Sequence, residues 1–262
     1  FELAEDAASE NVRLLEIRFS PVLHTYGGLS LETVLSAVLK GKEQAEKTFN
    51  IQIGIIISSI RSISPEVSME LAKLTVDYKD KGVVGFDLAG AEENFPAKDH
   101  KEAFFHIINN NINTTVHAGE AYGAESIHQA IHYTRANRIG HGTRLREDMD
   151  LFRYVLDHRI PLEMCVTCNV QTQCVSGYED HPIKDYLDAG IRVTVNTDNR
   201  LISNTTLTNE YVKIMNHYSL SVSELKKLIM NGFTAGFLPY AERKELVEKM
   251  QLELDKIFTL TT

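Results

Sequence analysis

"TVHAGEAYG", residues Thr115 to Gly123, places a histidine and a glutamate where an apolar, β-branched run gives way to glycine. Such a run reads as a buried strand, so His117 and Glu120 fall at its C-terminal end. The same pattern recurs along the chain. Strand-like runs are expected at Val12–Ser20, Ile51–Ile60, Val83–Gly90, Thr114–Glu120, Arg138–Gly142, Ile160–Asn169 and Ile191–Asn199. Most are near-continuously apolar, as parallel strands covered on both faces must be.

Helical patterns with readable ends lie between them. Ser30 caps a stripe of Leu31, Val34, Leu35, Val38 and Leu39, and Ser64-Pro65 gives a cap followed by proline at the first helical position. Asp99 with Glu102 reads as a capping box ahead of Phe104, Ile107 and Ile108, while His181-Pro182 opens a helix that Gly190 closes. Strand–helix alternation sustained over the whole length implies a (β/α) barrel or a doubly wound sheet. The polar residues decide between them. Gly90, His117, Glu120, His141, Asn169, Asp198 and Asn199 all fall at or just after strand ends, as on the catalytic rim of a barrel. No glycine fingerprint follows the first strand, which a doubly wound nucleotide fold favours. The expectation is a single TIM-type (β/α)8 barrel domain over residues 1–262 with extra C-terminal helices. Seven strands are recognisable where closure needs eight, so one strand is unaccounted for.

Bulk properties narrow the function. With 43% apolar and 24% charged residues the chain reads as an ordinary soluble protein. A formal charge of −9 argues against a nucleic-acid face and leaves a small neutral or cationic ligand as the natural partner. No apolar run is long enough to span a membrane. Cys165, Cys168 and Cys174 are too clustered to staple a secreted fold, and reduced thiols fit a cytoplasmic location.

His117, His141 and Asp198 end three separate strands. Imidazole and carboxylate ligands with an open position suit zinc or another divalent ion that ionises water for hydrolysis. Each of these residues alone reads more simply as a hydrogen-bonded structural group; their joint placement on one rim favours the metal. Glu120 suits a general acid if burial keeps it protonated, and otherwise caps the next helix. "NTDN", Asn196 to Asn199, ends its strand in polar groups, with an Asx-type turn as the plainer account. Two further patterns carry little. Cys165 and Cys168 form a C-x-x-C, but the H-x-E and P-C-x-x-C of cytidine-type deaminases are not matched, so these thiols are expected to pack. His128 and His132 stand four apart on a helix without the glutamate of H-E-x-x-H and read as surface histidines.

Taken together, "RFSP" at Arg18–Pro21, "DLAG" at Asp87–Gly90, "HAGE" at His117–Glu120, "GHG" at Gly140–Gly142 and "NTDN" resemble the adenosine deaminase family. "CNVQT" and "SNTTLTNEY" look like its bacterial branch. The resemblance implies a zinc-dependent barrel acting on a purine nucleoside in purine salvage, with adenosine and 2′-deoxyadenosine giving inosine and ammonia. It implies zinc ligation by His117 and Asp198, proton donation from Glu120 to purine N1, and orientation of the attacking hydroxide by His141. It also implies contacts from the Gly90 N–H to purine N3 and from Asn199 to N7. Asn199 replaces the commoner aspartate there, and an amide donates to N7 at any pH.

The family's first strand carries an H-x-H pair supplying two further zinc ligands, and nothing before Val12 resembles it. Phe1 opens in the helix before the second strand of the pattern. The missing strand and missing ligands share one expected explanation, a chain without its N-terminal segment, and the 262 residues alone are then expected to bind zinc poorly and turn over little substrate. The alternatives are a deaminase of adenine or of another adenosine derivative, a metal-free purine-binding pseudoenzyme, and an oligomer in which another copy supplies the strand.

Overall fold

The computed structural model describes residues 1–259, which divide into two compact units, one over Phe1–Asn137 and one from Arg138 onward. The first unit contains four parallel strands in sequence order. Helix α1 (Glu2–Ser9) leads into β1 (Leu14–Phe19), and α2 (Leu31–Thr48) into β2 (Gln52–Ile60). There follow α3 (Pro65–Asp77), β3 (Val83–Ala89), α4 (Lys101–Asn109), β4 (Asn113–Ala118) and α5 (Ala124–His132). Ser30 caps α2 by accepting the Thr33 N–H, and Val34 and Leu35 of the expected stripe are buried. Every residue of β2 from Ile53 to Ser59 is buried, as a strand covered on both faces requires. In register, Leu14 pairs Gln52, Ser58 pairs Asp87 and Asp87 pairs Thr115. The polar ends of β2, β3 and β4 are thereby set side by side.

The second unit contains β5 (Arg138–His141), α6 (Met149–Asp157), β6 (Leu162–Met164), α7 (Val166–Gln171), α8 (Ile183–Asp188) and β7 (Val193–Val195). Its strands are also parallel, with Ile139 opposite Leu162 and Leu162 opposite Val193. Four helices complete it: α9 (Arg200–Ser203), α10 (Leu207–His217), α11 (Val222–Ala235) and α12 (Tyr240–Thr259). At the start of β5, Arg138 pairs with Glu163 at 2.6 Å, donates to the Ala235 carbonyl at 2.9 Å and stacks over the Phe237 ring at 3.5 Å. The additional C-terminal helices are thus fastened to the strands through a buried guanidinium. No helix among the described residues is long and apolar enough to cross a membrane.

All seven expected strands are present, five of them within two residues of their expected ends. β6 and β7 are shorter than their apolar runs suggest. After Met164 the chain coils into α7, because the buried Glu210 carboxylate captures both the Thr167 N–H, at 2.9 Å, and the Thr167 hydroxyl. β7 stops at Val195, and Asp198 adopts a left-handed φ of 54°. The capping box expected at Asp99 and Glu102 does not form. Asp99 lies in a 3-10 turn over Ala97–His100, and α4 begins one turn later with His100 as its N-cap. His181-Pro182 does open α8, and Gly190 with φ 92° follows its C-cap.

Candidate active site

In the first unit the polar residues gather around Asp87, a fully buried carboxylate near the end of β3. Register places Ser58 beside it, and the Ser58 hydroxyl donates to Asp87 Oδ2 at 2.8 Å. His117 Nδ1 lies 3.1 Å from Asp87 Oδ1, and Arg18 Nη1 lies 4.0 Å from the same oxygen. Burial pushes the Asp87 carboxyl up, but the charges of His117 and Arg18 and the hydrogen bonds from His117 and Ser58 outweigh it and hold it at about 2. An ionised Asp87 accepts from His117 Nδ1–H, which leaves Nε2 as the ring nitrogen on which a metal would take the place of a proton. Carboxylate-oriented imidazoles of this kind are what zinc sites use.

Gly90 follows β3 with φ 96°, and a Cβ there would meet Ile60 Cγ2 at 3.2 Å and the Arg61 backbone nitrogen at 3.5 Å. Only glycine satisfies both the left-handed φ and the close approach of β2, which leaves main chain as the exposed surface at that point. Glu120 is half-buried two residues beyond β4. It does not cap α5, whose N-cap is Gly123 and which makes no side-chain capping bond.

In the second unit His141 ends β5 with φ 63° and is 1% exposed. A chain of hydrogen bonds settles its tautomer. The Ile183 N–H donates to His181 Nδ1 at 3.3 Å, so the neutral His181 ring carries its proton on Nε2. That proton is donated to Asn169 Oδ1 at 3.1 Å, which turns the Asn169 amide nitrogen toward His141 Nδ1 at 3.0 Å. His141 Nδ1 therefore accepts, and the His141 proton resides on Nε2. The relay needs a neutral His181. Burial, with added repulsion from Arg146 and His141, holds that imidazole down at about 3.

Asp198 and Asn199 follow β7 and are exposed. The Cys168 thiol donates to Asp198 Oδ2 at 3.0 Å, while Cys165 turns to the Glu163 carbonyl at 3.5 Å. The two thiols diverge, so the C-x-x-C is no shared metal clip, and Cys168 does more than pack. Asn199 caps α9 by accepting the Ile202 N–H at 3.2 Å on Oδ1. This is a helix cap rather than the Asx-type turn expected of the NTDN segment, and it leaves Nδ2 as the amide's donor. His128 and His132 are exposed on α5 with ring centroids 4.4 Å apart.

The donors supplied here are imidazole nitrogen and carboxylate oxygen, a set that suits zinc. Among the described residues no group of three or more His, Cys, Asp or Glu side chains is gathered as a metal cluster. The structure brings His117 together with Asp87, His141 with Asn169 and His181, and Asp198 with Cys168. Asp87, quoted within the DLAG motif, and His181, read as a helix start, carry no site role in the sequence reading. Asp87 gains one only as the strand residue opposite Ser58.

Comparison with known proteins completes the description. The sequence profile of the family described as "Adenosine deaminase" matches residues 1–252. A protein named "Probable adenosine deaminase" from Dictyostelium discoideum is 42% identical over 238 residues, covering 91% of this chain but 31% of its own length. An adenosine deaminase of a Mycobacterium species is 39% identical over 264 residues, covering 95% of this chain and 72% of that protein. Among solved structures, an adenine deaminase from Arthrobacter aurescens has a TM-score of 0.90 at 25% identity, covering 97% of this chain and 77% of that one. An amidohydrolase from Burkhoderia ambifaria, with bound Zn, has a TM-score of 0.92 at 19% identity, covering 99% and 72%. The fold class is therefore the (β/α)8 barrel, of which these residues supply seven strand–helix repeats.

Proposed function

This chain belongs to the adenosine deaminase family, and from that premise we propose that it carries the catalytic residues of a zinc-dependent hydrolytic deaminase that converts adenosine and 2′-deoxyadenosine to inosine and ammonia in purine salvage. The observation that carries the reading is the His117–Asp87 pair at 3.1 Å, which orients an imidazole for a metal at the histidine of the "HAGE" motif. His117 and Asp198 would hold the ion, two of the protein ligands that a catalytic zinc takes. When bound, zinc supplies Lewis acidity that brings the pKa of water near neutrality.

The remaining chemistry belongs to the chain's own groups. Glu120 gives a proton to purine N1, which draws electron density from C6 and opens it to attack by water. His141, whose Nε2 carries the ring proton, donates to that water's oxygen and orients it, and the Glu120 carboxylate left by proton transfer to N1 takes up the water's proton. Collapse of the C6 adduct passes the proton of its new hydroxyl to the amino group, expels that group as ammonia and leaves a carbonyl at C6. The Gly90 N–H recognises N3, and the Asn199 Nδ2 donates to N7 while its Oδ1 remains on the Ile202 amide. A cytoplasmic location and a single barrel domain belong to the same reading.

The test is ammonia release by the zinc-supplemented protein from adenosine, 2′-deoxyadenosine and adenine. Slow deamination of both nucleosides, as a zinc site without two of its ligands dictates, reduced a further ~10²- to 10⁴-fold in Glu120→Gln, is the expected result. Ammonia from adenine alone would transfer the assignment to the adenine deaminases. Nucleoside binding without ammonia would make the chain a purine-binding pseudoenzyme.

A further inference from the structure

Two residues after Gly90, the side chain of Glu92 turns inward and is 4% exposed. Its carboxylate accepts three consecutive backbone N–H groups: Gly119 on Oε2 at 3.0 Å, and Glu120 and Ala121 on Oε1 at 2.9 and 3.2 Å. Gly119 has φ 72°, the left-handed turn that points successive amides into one concavity. Such a concavity is an anion-binding nest, and here the anion is the chain's own side chain. Hydrogen bonds to an ionised acceptor are roughly twice as strong as neutral ones, so three on one carboxylate compensate much of the loss of water.

The other end of the segment is held by a cation. Arg61, just beyond β2 and 3% exposed, donates from Nη1 to the Phe95 carbonyl at 2.7 Å and from Nη2 to the His117 carbonyl at 2.8 Å. Burial lowers the guanidinium pKa, and the charges of Glu92 and Asp87 oppose that shift. Opposite charges from the ends of β2 and β3 thus grip main-chain atoms on both sides of Ala118. Glu120 sits inside this grip with its own amide among the bonded groups.

We propose that Glu92, backed by Arg61, is a positioning residue for Glu120, fixing the backbone of residues 119–121 so that the Glu120 carboxyl is held where it transfers its proton. The inference rests on the reading of Glu120 as that proton donor. A displacement of about 1 Å at a reacting group can cost on the order of 10²-fold in rate, so a clamp on its backbone acts on turnover rather than on binding.

Glu92→Gln separates the clamp from the bulk of the fold. A glutamine keeps one accepting oxygen but sets an NH2 donor against an N–H. Residue-resolved amide hydrogen exchange should rise by about tenfold at Gly119, Glu120 and Ala121, with Thr115 and Val116 of β4 unchanged. In adenosine deamination kcat should fall about 10- to 100-fold with KM within about twofold. Glu92→Asp, which retains the carboxylate, should recover part of kcat. If Glu92→Gln does not fold, Glu92→Asp and Arg61→Lys carry the same two measurements, each with smaller expected effects. Unchanged protection at residues 119–121 would overturn the clamp, as would a rise spread evenly over β4 or a KM effect with kcat intact. Should the unaltered protein deaminate no purine, the role of Glu120 fails with it, and the exchange measurement alone then decides whether Glu92 holds this backbone.

Discussion

His181 makes the stability of the second unit depend on pH in a calculable way. Its imidazole is 2% exposed and is held at about 3 in the folded protein against an ordinary value of 6.5. The unfolded chain therefore takes up a proton below pH 6.5 that the folded chain refuses until about pH 3. Because the unfolded state binds more protons in this window, stability falls as pH falls. Integrating the two titrations from pH 7 to pH 5 gives a loss of about 2 kcal/mol from this residue alone, of which roughly a third is gone by pH 6.

His181→Gln removes the titration while its amide can still donate to Asn169. The variant should be less stable at pH 7 but should lose about 2 kcal/mol less than the parent between pH 7 and pH 5. Urea denaturation followed by circular dichroism at pH 7, 6 and 5 reads the difference. His100, also buried and also shifted down by burial, titrates in both proteins and cancels. If parent and variant lose stability in parallel, the buried neutral imidazole is not what couples this fold to pH, and the tautomer assigned to His141 loses its anchor.

Three other outcomes follow from the geometry. Asp87→Asn keeps the shape but removes the charge that orients His117, and zinc affinity by competition with a chromogenic chelator should fall about 10- to 100-fold. Glu210→Gln disturbs a buried carboxylate that accepts from the Thr167 N–H and hydroxyl and from the Thr205 hydroxyl at 2.6 Å, and denaturant titration should show a loss of about 2–3 kcal/mol. Ser221→Ala breaks the capping box formed with Glu224 at the start of α11, which should cost about 1 kcal/mol in the same measurement and leave deamination unchanged.

The strands were legible because burial on both faces forces continuous apolar runs, as in Ile53–Ile57, and the polar residues ending them stood out by contrast. Gly90 was legible too, as a glycine closing such a run. What remained hidden depends on partners remote in sequence. The coil of α7 follows from Glu210, more than 40 residues downstream of Thr167, so periodicity around Met164 carries no trace of it. Asp87 reads as one polar residue in an apolar strand until register sets it beside Ser58 and His117. Asp99 and Glu102 have the spacing of a capping box, yet local spacing gave way where the chain entered a 3-10 turn first. Glu92 resembles any acidic loop residue, since its partners are backbone amides that have no letter in the sequence.

That last property bears on how such a loop can drift. Arg61 and Glu92 recognise carbonyls and amides, groups that positions 95, 117, 120 and 121 present whatever their side chains, proline at 120 or 121 excepted. Ala121 and its neighbour Tyr122 can accordingly be exchanged over evolutionary time without slackening the turn beneath them. A lineage built on this arrangement is free to reshape what it recognises while inheriting its reactive geometry intact.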